Sequence, residues 1–221
     1  MTKTENTSCP ATLLSKLKQL KGQLEYKKIR QTISQRIKEF KSFKGKSKDT
    51  FFKELCFCLL TANFNAERSV LIQRKINYGF ITLNEKALAN KLKELGHRFP
   101  NTRARYIAEA RRYKNTLKET IFSLKDDKKR REWLVKNIKG LGYKEASHFL
   151  RNTGFLDVAI IDFHIIDLLC EHNIIDKPKS LTGRKYLEIE DKLKQISKQL
   201  EMPPGELDLY LWFLETGKVL K

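Results

Sequence analysis

Residues 133–164, WLVKNIKGLGYKEASHFLRNTGFLDVAIIDFH, decide the fold of this chain. Apolar residues at helical spacing lie on both sides of the short segment 138–142. Glycines at positions 140 and 142 permit backbone angles that other residues avoid, so the chain can turn sharply there. The pattern predicts a hairpin over residues 133–152, in which a second helix begins near Tyr143.

The turn of this hairpin is suited to binding phosphate. Backbone N–H groups at the head of a helix form a concavity that favours an anion. We therefore expect Lys139, Gly140, Leu141 and Gly142 to contact a DNA backbone, with the Leu141 side chain directed inward. An ordinary packing corner between two helices is the alternative.

The charge of the chain favours a nucleic-acid partner. Lys and Arg number 45 against 26 Asp and Glu in 221 residues, which gives a formal net charge of +19. Such an excess indicates a polyanion, although a lysine-rich, solvated surface would give the same charge. No apolar run is long enough to cross a bilayer, and the N-terminus lacks the apolar core of a signal peptide. We expect a cytoplasmic, nucleoid-associated monomer that binds double-stranded DNA and no membrane.

Two side chains near the hairpin have the properties of a reaction centre. Lys144 falls in the first turn of the second helix, where the helix dipole disfavours an ammonium ion. A neutral amine there is a nucleophile suited to attack at a sugar C1′ and to Schiff-base formation. Asp162 begins the next apolar run, and its carboxylate can stabilise a cationic sugar. In the alternative interpretation, Lys144 binds phosphate and Asp162 is only a helix N-cap.

Helical patterns dominate the rest of the chain, so the predicted class is all-α. Asp49 is the expected N-cap of a central buried helix, and Asn101 or Thr102 that of the helix at 103–122. Residues 155–161 are expected to form an extended connection. Helices are predicted as two within 10–43 and then at 50–60, 66–77, 84–95, 103–122, 126–138, 143–152, 162–170, 185–200 and 204–216.

The cysteines indicate neither a disulfide framework nor a zinc site. They stand at positions 9, 56, 58 and 170, without a C-x-x-C pair. His164 has no partner at metal-ligand spacing and is interpreted as structural. We therefore expect buried free thiols and neither a metal nor a cofactor.

The segments GLGYKEASHFLRNTG at 140–154 and VAIIDFH at 158–164 resemble the helix-hairpin-helix DNA glycosylase superfamily. Within it they are most similar to the second, archaeal-type family of 8-oxoguanine DNA glycosylase/AP lyases. The resemblance runs from about Ser47 to Lys221 and implies a two-lobed all-α fold with DNA in a cleft. We expect the glycosylase core to comprise residues 26–221, after a short extension at 1–25. It implies that Lys144 is the Schiff-base nucleophile and Asp162 the essential carboxylate. The implied reaction is excision of 8-oxoguanine followed by β-elimination. Cys170 is the last cysteine, so the four-cysteine cluster of the iron–sulfur members cannot form.

The same resemblance implies a pocket for a flipped base. Phe99 and Trp212 match the aromatic pair of the family, and Asp208 lies one turn before Trp212, where it can accept hydrogen bonds from a purine. Lys221 would reach the pocket, with its terminal carboxylate accepting the N7–H of 8-oxoguanine. His148 follows the nucleophile by one turn and can border the pocket. Core packing, a surface charge and a frayed tail are the alternatives.

Two further residues match positions that contact the undamaged strand. Asn63 corresponds to the residue that fills the gap left by the flipped base, and Arg103 to an arginine that contacts the opposite base. Both can instead be caps or phosphate ligands. Two other functions remain open: a non-catalytic helix-hairpin-helix DNA-binding module, and a glycosylase/lyase for another oxidised base.

Overall fold

The computed structural model describes residues 10–221, with side chains from residue 13 onward. Within that range the chain forms α-helices and short 3₁₀ turns and contains no β-strand, which confirms the all-α class. The helices are α1 (Pro10–Gly22), α2 (Lys27–Ser42), α3 (Lys48–Thr61), α4 (Ala66–Ile76), α5 (Gly79–Thr82), α6 (Glu85–Glu94), α7 (Pro100–Ala110), α8 (Leu117–Ser123), α9 (Asp127–Asn137), α10 (Tyr143–Asn152), α11 (Phe163–Glu171), α12 (Gly183–Gln199) and α13 (Pro204–Thr216).

The described chain divides into two compact units. The terminal unit comprises residues 10–37 and 159–219 with Lys221, and the hairpin unit comprises residues 38–158 with Leu220. Helix α1 contacts α13, and its leucine stripe is buried. The predicted boundary after residue 25 stays a prediction, and residues 1–9 of the predicted extension lie outside the described range.

The hairpin unit is built on α3, which is buried almost all round from Phe51 to Thr61. This confirms the predicted central helix, since a helix that is apolar on every face must be enclosed. Its predicted cap is wrong. Ser47 is the N-cap, with its hydroxyl accepting from the N–H of Thr50 at 3.2 Å. Asp49 lies in the first turn and pairs with Lys114 at 3.1 Å, where a carboxylate complements the helix dipole.

The single helix predicted over 103–122 is also wrong, because the chain forms α7, a 3₁₀ turn and α8 there. Pro100 is the first residue of α7, with Phe99 at the cap position, so neither Asn101 nor Thr102 caps it. Proline favours this position because its fixed φ suits a first turn and it has no N–H to satisfy. The helix breaks before Thr116, which is the N-cap of α8.

In the terminal unit, α13 contacts α1, α11 and α12. Its end at Thr216 is as predicted, because Gly217 adopts a left-handed φ of 70°. Residues 155–161 form a connection without helix or strand and with a bend at position 157, while its predicted extended conformation stays a prediction. The last part of this connection is hydrogen-bonded to α12. The Tyr186 hydroxyl donates to the carbonyl of Ala159 at 2.7 Å and accepts from the N–H of Ile161 at 3.2 Å. The buried carboxylate of Glu190 accepts from the N–H of Ala159 at 2.9 Å.

Cys56 and Cys58 are buried free thiols, as predicted, and Cys170 is a free thiol that is partly buried. Cys9 lies outside the described residues. From residue 10 onward, no helix has the length and apolarity needed to cross a membrane.

Candidate active site

The predicted hairpin is formed by α9 and α10, which contact each other along their lengths. Gly140 lies at φ +91°, in the left-handed region that favours glycine. An added Cβ there would also overlap the ring of Tyr106. Leu141 is buried, as its predicted inward direction requires. The turn therefore has the local geometry that the sequence predicts at these two positions.

Gly142 differs from the prediction. Its φ of −89° and ψ of −172° are those of an ordinary extended residue, so the expectation that it needs angles closed to other residues is wrong. Its N–H donates to Oε2 of Glu145 at 3.2 Å. Glu145 is the third residue of α10, and a carboxylate there commonly bonds back to the N-cap N–H as half of a capping box.

Lys139 and Gly142 are the exposed residues of the turn. The Lys139 ammonium lies 3.4 Å from Oε1 of Glu109, and both of these side chains are largely in solvent. An exposed pair of this kind is weak. Lys139 can therefore exchange this partner for a phosphate with little loss.

Lys144 lies in the first turn of α10 and is partly buried. Its Nζ is 3.7 Å from Oε1 of Glu145, whose side chain is 14% exposed. One carboxylate thus contacts the backbone of the turn through one oxygen and the amine of Lys144 through the other. The turn and the predicted nucleophile are joined by a single side chain.

Asp162 is the N-cap of α11, as one interpretation of the sequence predicts. Its Oδ1 accepts from the N–H of Ile165 at 3.1 Å, and the residue is partly exposed. The bonds that Tyr186 and Glu190 make to residues 159 and 161 fix the chain immediately before it. Lys144 belongs to the hairpin unit and Asp162 to the terminal unit.

Helix α11 carries its second residue, His164, against Trp212 of α13. The two rings meet edge to face, with centroids 5.3 Å apart. His164 Nδ1 also lies 3.7 Å from Oε1 of Glu215. Trp212 is partly exposed, yet its Nε1 is buried without a hydrogen-bond partner among residues 13–221. His164, interpreted as structural from the sequence, therefore contacts a predicted base-binding residue.

Asp208 and Lys221 are the other predicted pocket residues of the terminal unit. Asp208 is 7% exposed, so it is not a simple surface charge. Lys221 is partly buried. His148, in the hairpin unit, is buried edge to face against Phe57, with ring centroids 5.5 Å apart. Its contact with Phe57 corresponds to the packing alternative.

The hairpin unit also brings together Asn63, Phe99 and Arg103. Asn63 is exposed at the apex of the turn after α3, with a left-handed φ of 55°. Arg103 is buried, and its Nη2 donates to the carbonyl of Ala62 at 2.6 Å. Burial lowers the pKa of the Arg103 guanidinium, and the charge of Glu145 acts in the opposite direction. Arg103 thus supports the turn that presents Asn63.

Comparison with known proteins decides the family. A model of the family described as 8-oxoguanine DNA glycosylase matches residues 33–202. The chain belongs to this family.

Several members of the 8-oxoguanine DNA glycosylase family are close relatives. The chain is 55% identical over 210 residues to the 8-oxoguanine DNA glycosylase/AP lyase of Methanocaldococcus jannaschii, covering 95% of this chain and 99% of that protein. A crystal structure of the M. jannaschii glycosylase/lyase in complex with a 15mer DNA containing 8-oxoguanine matches with a TM-score of 0.90 and 54% identity, covering 95% of this chain and 100% of that chain. The 8-oxoguanine DNA glycosylase of Thermotoga maritima matches with a TM-score of 0.88 and 40% identity, covering 96% of this chain and 99% of that chain.

The sequence of this member of the 8-oxoguanine DNA glycosylase family did not indicate a supporting role for Glu145, His97 or Tyr186. Glu145 had a local signal, because a glutamate three residues after a helix N-cap is the mark of a capping box. His97 and Tyr186 had none, since the bond of His97 to Leu60 and that of Tyr186 to Ala159 join residues that are distant in the chain. Across residues 10–221, no group of three or more His, Cys, Asp or Glu side chains is placed to hold a metal ion.

Proposed function

We propose that this protein removes 8-oxoguanine from double-stranded DNA and then cleaves the abasic site by β-elimination, with Lys144 as the nucleophile. The observation that carries the assignment is the place of Lys144, in the first turn of α10 directly after the glycine turn. The turn binds the DNA backbone, and the amine that follows it acts on the adjacent sugar. Family membership favours this activity over a non-catalytic DNA-binding module.

DNA binding begins with the phosphate backbone. Lys139 and the backbone of residues 140–142 are the proposed contacts, supported by the exposure of Lys139. A phosphate contact through the N–H of Leu141 or Gly142 requires that group to leave Ile138 or Glu145, to which it donates in this structure. The first N–H groups of α10 have no partner within the helix, so they are available to a phosphate oxygen. The net charge of +19 adds attraction that does not depend on base sequence.

The chemistry requires the neutral amine of Lys144. The amine adds to C1′ of the damaged nucleotide, the bond from C1′ to the base breaks, and the base leaves. The amine then loses a proton and the C1′–O4′ bond opens, with O4′ taking up a proton, which gives the Schiff base. The Schiff base makes a proton at C2′ acidic. Loss of that proton expels the 3′-phosphate. Asp162 stabilises the cationic sugar as the glycosidic bond breaks, and it orients or deprotonates the amine.

Side chains that match the family's base-binding residues are proposed to receive the flipped base. Phe99 and Trp212 hold the flipped base, and Asp208, His148 and Lys221 border it. Trp212 is partly exposed, which supports this role, because a base can stack only on an accessible ring.

On the opposite strand, Asn63 fills the gap and Arg103 contacts the orphaned base. The exposed, left-handed apex supports the role of Asn63. Arg103 is buried against Ala62, so its contact with the base requires the side chain to leave that carbonyl. We further propose that the protein acts as a cytoplasmic, nucleoid-associated monomer, with residues 1–25 as an extension to the glycosylase core.

Borohydride trapping on a duplex with one 8-oxoguanine tests this function. Borohydride reduces a Schiff base to a stable link, so the wild-type protein should give a covalent protein–DNA adduct. Lys144→Gln should give none. Lys136→Gln is the matched control, because it removes the charge of an exposed lysine from the same hairpin that has no proposed contact with DNA, and it should still give the adduct. A wild type without adduct, or an undiminished adduct from Lys144→Gln, would refute the proposal.

A panel of duplexes tests the lesion separately. Excision rates are measured on duplexes with 8-oxoguanine, guanine or an oxidised pyrimidine at one position. We expect 8-oxoguanine to be excised fastest. Faster excision of an oxidised pyrimidine would keep the chemistry of Lys144 and change the substrate.

A further inference from the structure

His97 is a buried residue at the junction of two predicted DNA-contacting segments. It lies between α6 and α7 and is 4% exposed. Its Nε2 is 3.1 Å from the carbonyl oxygen of Leu60, and its Nδ1 is 3.0 Å from the backbone nitrogen of Phe99. A carbonyl only accepts and a backbone N–H only donates, so the ring meets both when it is neutral with its proton on Nε2.

The Leu60 carbonyl belongs to the last turn of α3. The final carbonyls of a helix have no partner within the helix, and side chains often supply one. The turn that follows presents Asn63 at its apex. The His97 ring also stacks on Phe64, one residue beyond that apex, with ring centroids 4.2 Å apart. The histidine therefore contacts the chain on both sides of Asn63.

The neutral form of the ring is favoured by its surroundings. Burial is the main cause that lowers the pKa of His97, and the charges of Arg103 on α7 and Arg68 on α4 lower it further. The Leu60 carbonyl acts in the opposite direction. A second ring proton would face the N–H of Phe99, and two donors cannot bond to each other.

We propose that His97 is a positioning residue that couples the gap-filling Asn63 to the base-stacking Phe99. The inference rests on the roles proposed above for these two residues. Base flipping requires one residue that fills the gap in the DNA duplex and another that stacks on the flipped base. Both residues must be correctly placed at the same time. Because one ring bonds to both segments, the position of Asn63 depends on that of Phe99. His97 does this from the interior, without contact with DNA.

Two substitutions separate the hydrogen bond to Leu60 from the hydrogen bond to Phe99. In His97→Gln the side-chain amide nitrogen stands near the position of Nε2, so the bond to Leu60 can persist while the bond to Phe99 is lost. In His97→Asn the amide oxygen stands near Nδ1, so the bond to Phe99 can persist while the bond to Leu60 is lost. If one variant fails to fold at the assay temperature, the other carries the same experiment.

The test is a double-mutant cycle with Asn63→Ala, using the full chain and single-turnover excision from a duplex with one 8-oxoguanine. Each single change should slow excision about tenfold, roughly the effect of one lost hydrogen bond. If His97 acts through Asn63, the double variant should be within about twofold of the slower single variant, because coupled residues are not additive. Losses that multiply to about a hundredfold would overturn the proposal.

The control is His172→Gln, which removes another buried histidine, in the terminal unit. Its effect on excision should multiply with that of Asn63→Ala, because it bonds to neither segment. A general loss of stability would produce the same result for both histidines and would refute a specific coupling. If Asn63→Ala alone leaves excision unchanged, the proposed role of Asn63 and the coupling both fall. The borohydride result on Lys144 would then still stand.

Discussion

The Glu145 carboxylate accepts a hydrogen bond from the N–H of Gly142 at 3.2 Å and so closes the turn at the head of α10. Its other oxygen lies 3.7 Å from the amine of Lys144. Stability of the hairpin and placement of the proposed nucleophile therefore depend on the same side chain. Substitutions at position 145 can separate the hydrogen bond from the charge.

Glu145→Ala should lower the free energy of unfolding by about 1 kcal/mol, the usual effect of losing a helix cap. Glu145→Gln should lower it by less, because the amide oxygen can still accept from Gly142. Urea denaturation of the three proteins measures the difference. Equal losses for both variants would mean that the hydrogen bond contributes little.

Gly140→Ala should destabilise the protein by about 2 kcal/mol, because alanine is strained at φ +91° and its Cβ overlaps the Tyr106 ring. DNA affinity should fall as well, since the turn must shift. Gly142→Ala is the matched control: its φ is ordinary, and its Cβ would meet only the end of the Glu145 side chain, at 3.2 Å. Thermal unfolding and DNA titration check both. A larger effect at position 142 than at position 140 would contradict the conclusion that glycine is required at position 140.

Asp162→Asn should slow excision by about a hundredfold or more, a typical cost of removing an electrostatic group from a transition state. Folding stability and DNA affinity should change little, because asparagine caps a helix as well as aspartate does. Asp162→Ala should lose the cap too and unfold at a lower temperature. Single-turnover kinetics, DNA titration and thermal unfolding give the three readouts. Full activity in the asparagine variant would limit Asp162 to capping.

Acid should destabilise the protein partly through His97 and His172. Burial is the first cause that lowers the pKa of each. The unfolded chain then binds more protons than the folded one, so the neutral histidines contribute fully above about pH 6.5 and this contribution is lost as the pH falls toward the folded pKa. Unfolding temperatures measured between pH 7.5 and 5 should fall less steeply in His97→Gln than in the wild type. An identical slope would show that His97 does not contribute.

Lys139→Gln should reduce the salt dependence of DNA binding. Each phosphate contact adds about 0.9 to the slope of log affinity against log salt concentration, so the loss of one contact should lower the slope by about that amount. Lys91→Gln is the control, since Lys91 is a partly exposed lysine of the same unit whose partner is Glu94, at 2.8 Å. An equal fall in both variants would indicate only the general charge of the surface.

The hairpin, the all-α fold class and most of the helices could be predicted, because the sequence signals for them are local. Apolar spacing marks a helix, and Gly140 marks the turn wherever the rest of the chain goes. The errors arose where two local signals competed: Ser47 and Asp49 can both begin α3, and Pro100 takes precedence over Asn101. At Gly142 the residue type suggested an unusual backbone angle. The residue instead has an ordinary φ of −89°, and its N–H donates to Glu145.

Of the supporting residues, His97 and Tyr186 could not be predicted, because each has a hydrogen-bond partner that is remote in the chain. His97 bonds to a residue 37 positions away, and Tyr186 to Ala159, 27 positions away. Such pairs depend on how helices pack, which leaves no periodic trace in the sequence. The residues proposed to react were recognisable from their type and position, whereas those that hold them in place became visible only in the folded chain.

The cap formed by Asp162 has a genetic consequence. Aspartate and asparagine codons differ by a single G-to-A transition, and asparagine preserves the cap. Under the proposed mechanism, that one base change leaves a folded protein that still recognises damage and removes it far more slowly. Such a protein would occupy lesions and shield them from other repair enzymes, so the mutant allele would be more harmful than a deletion of the gene.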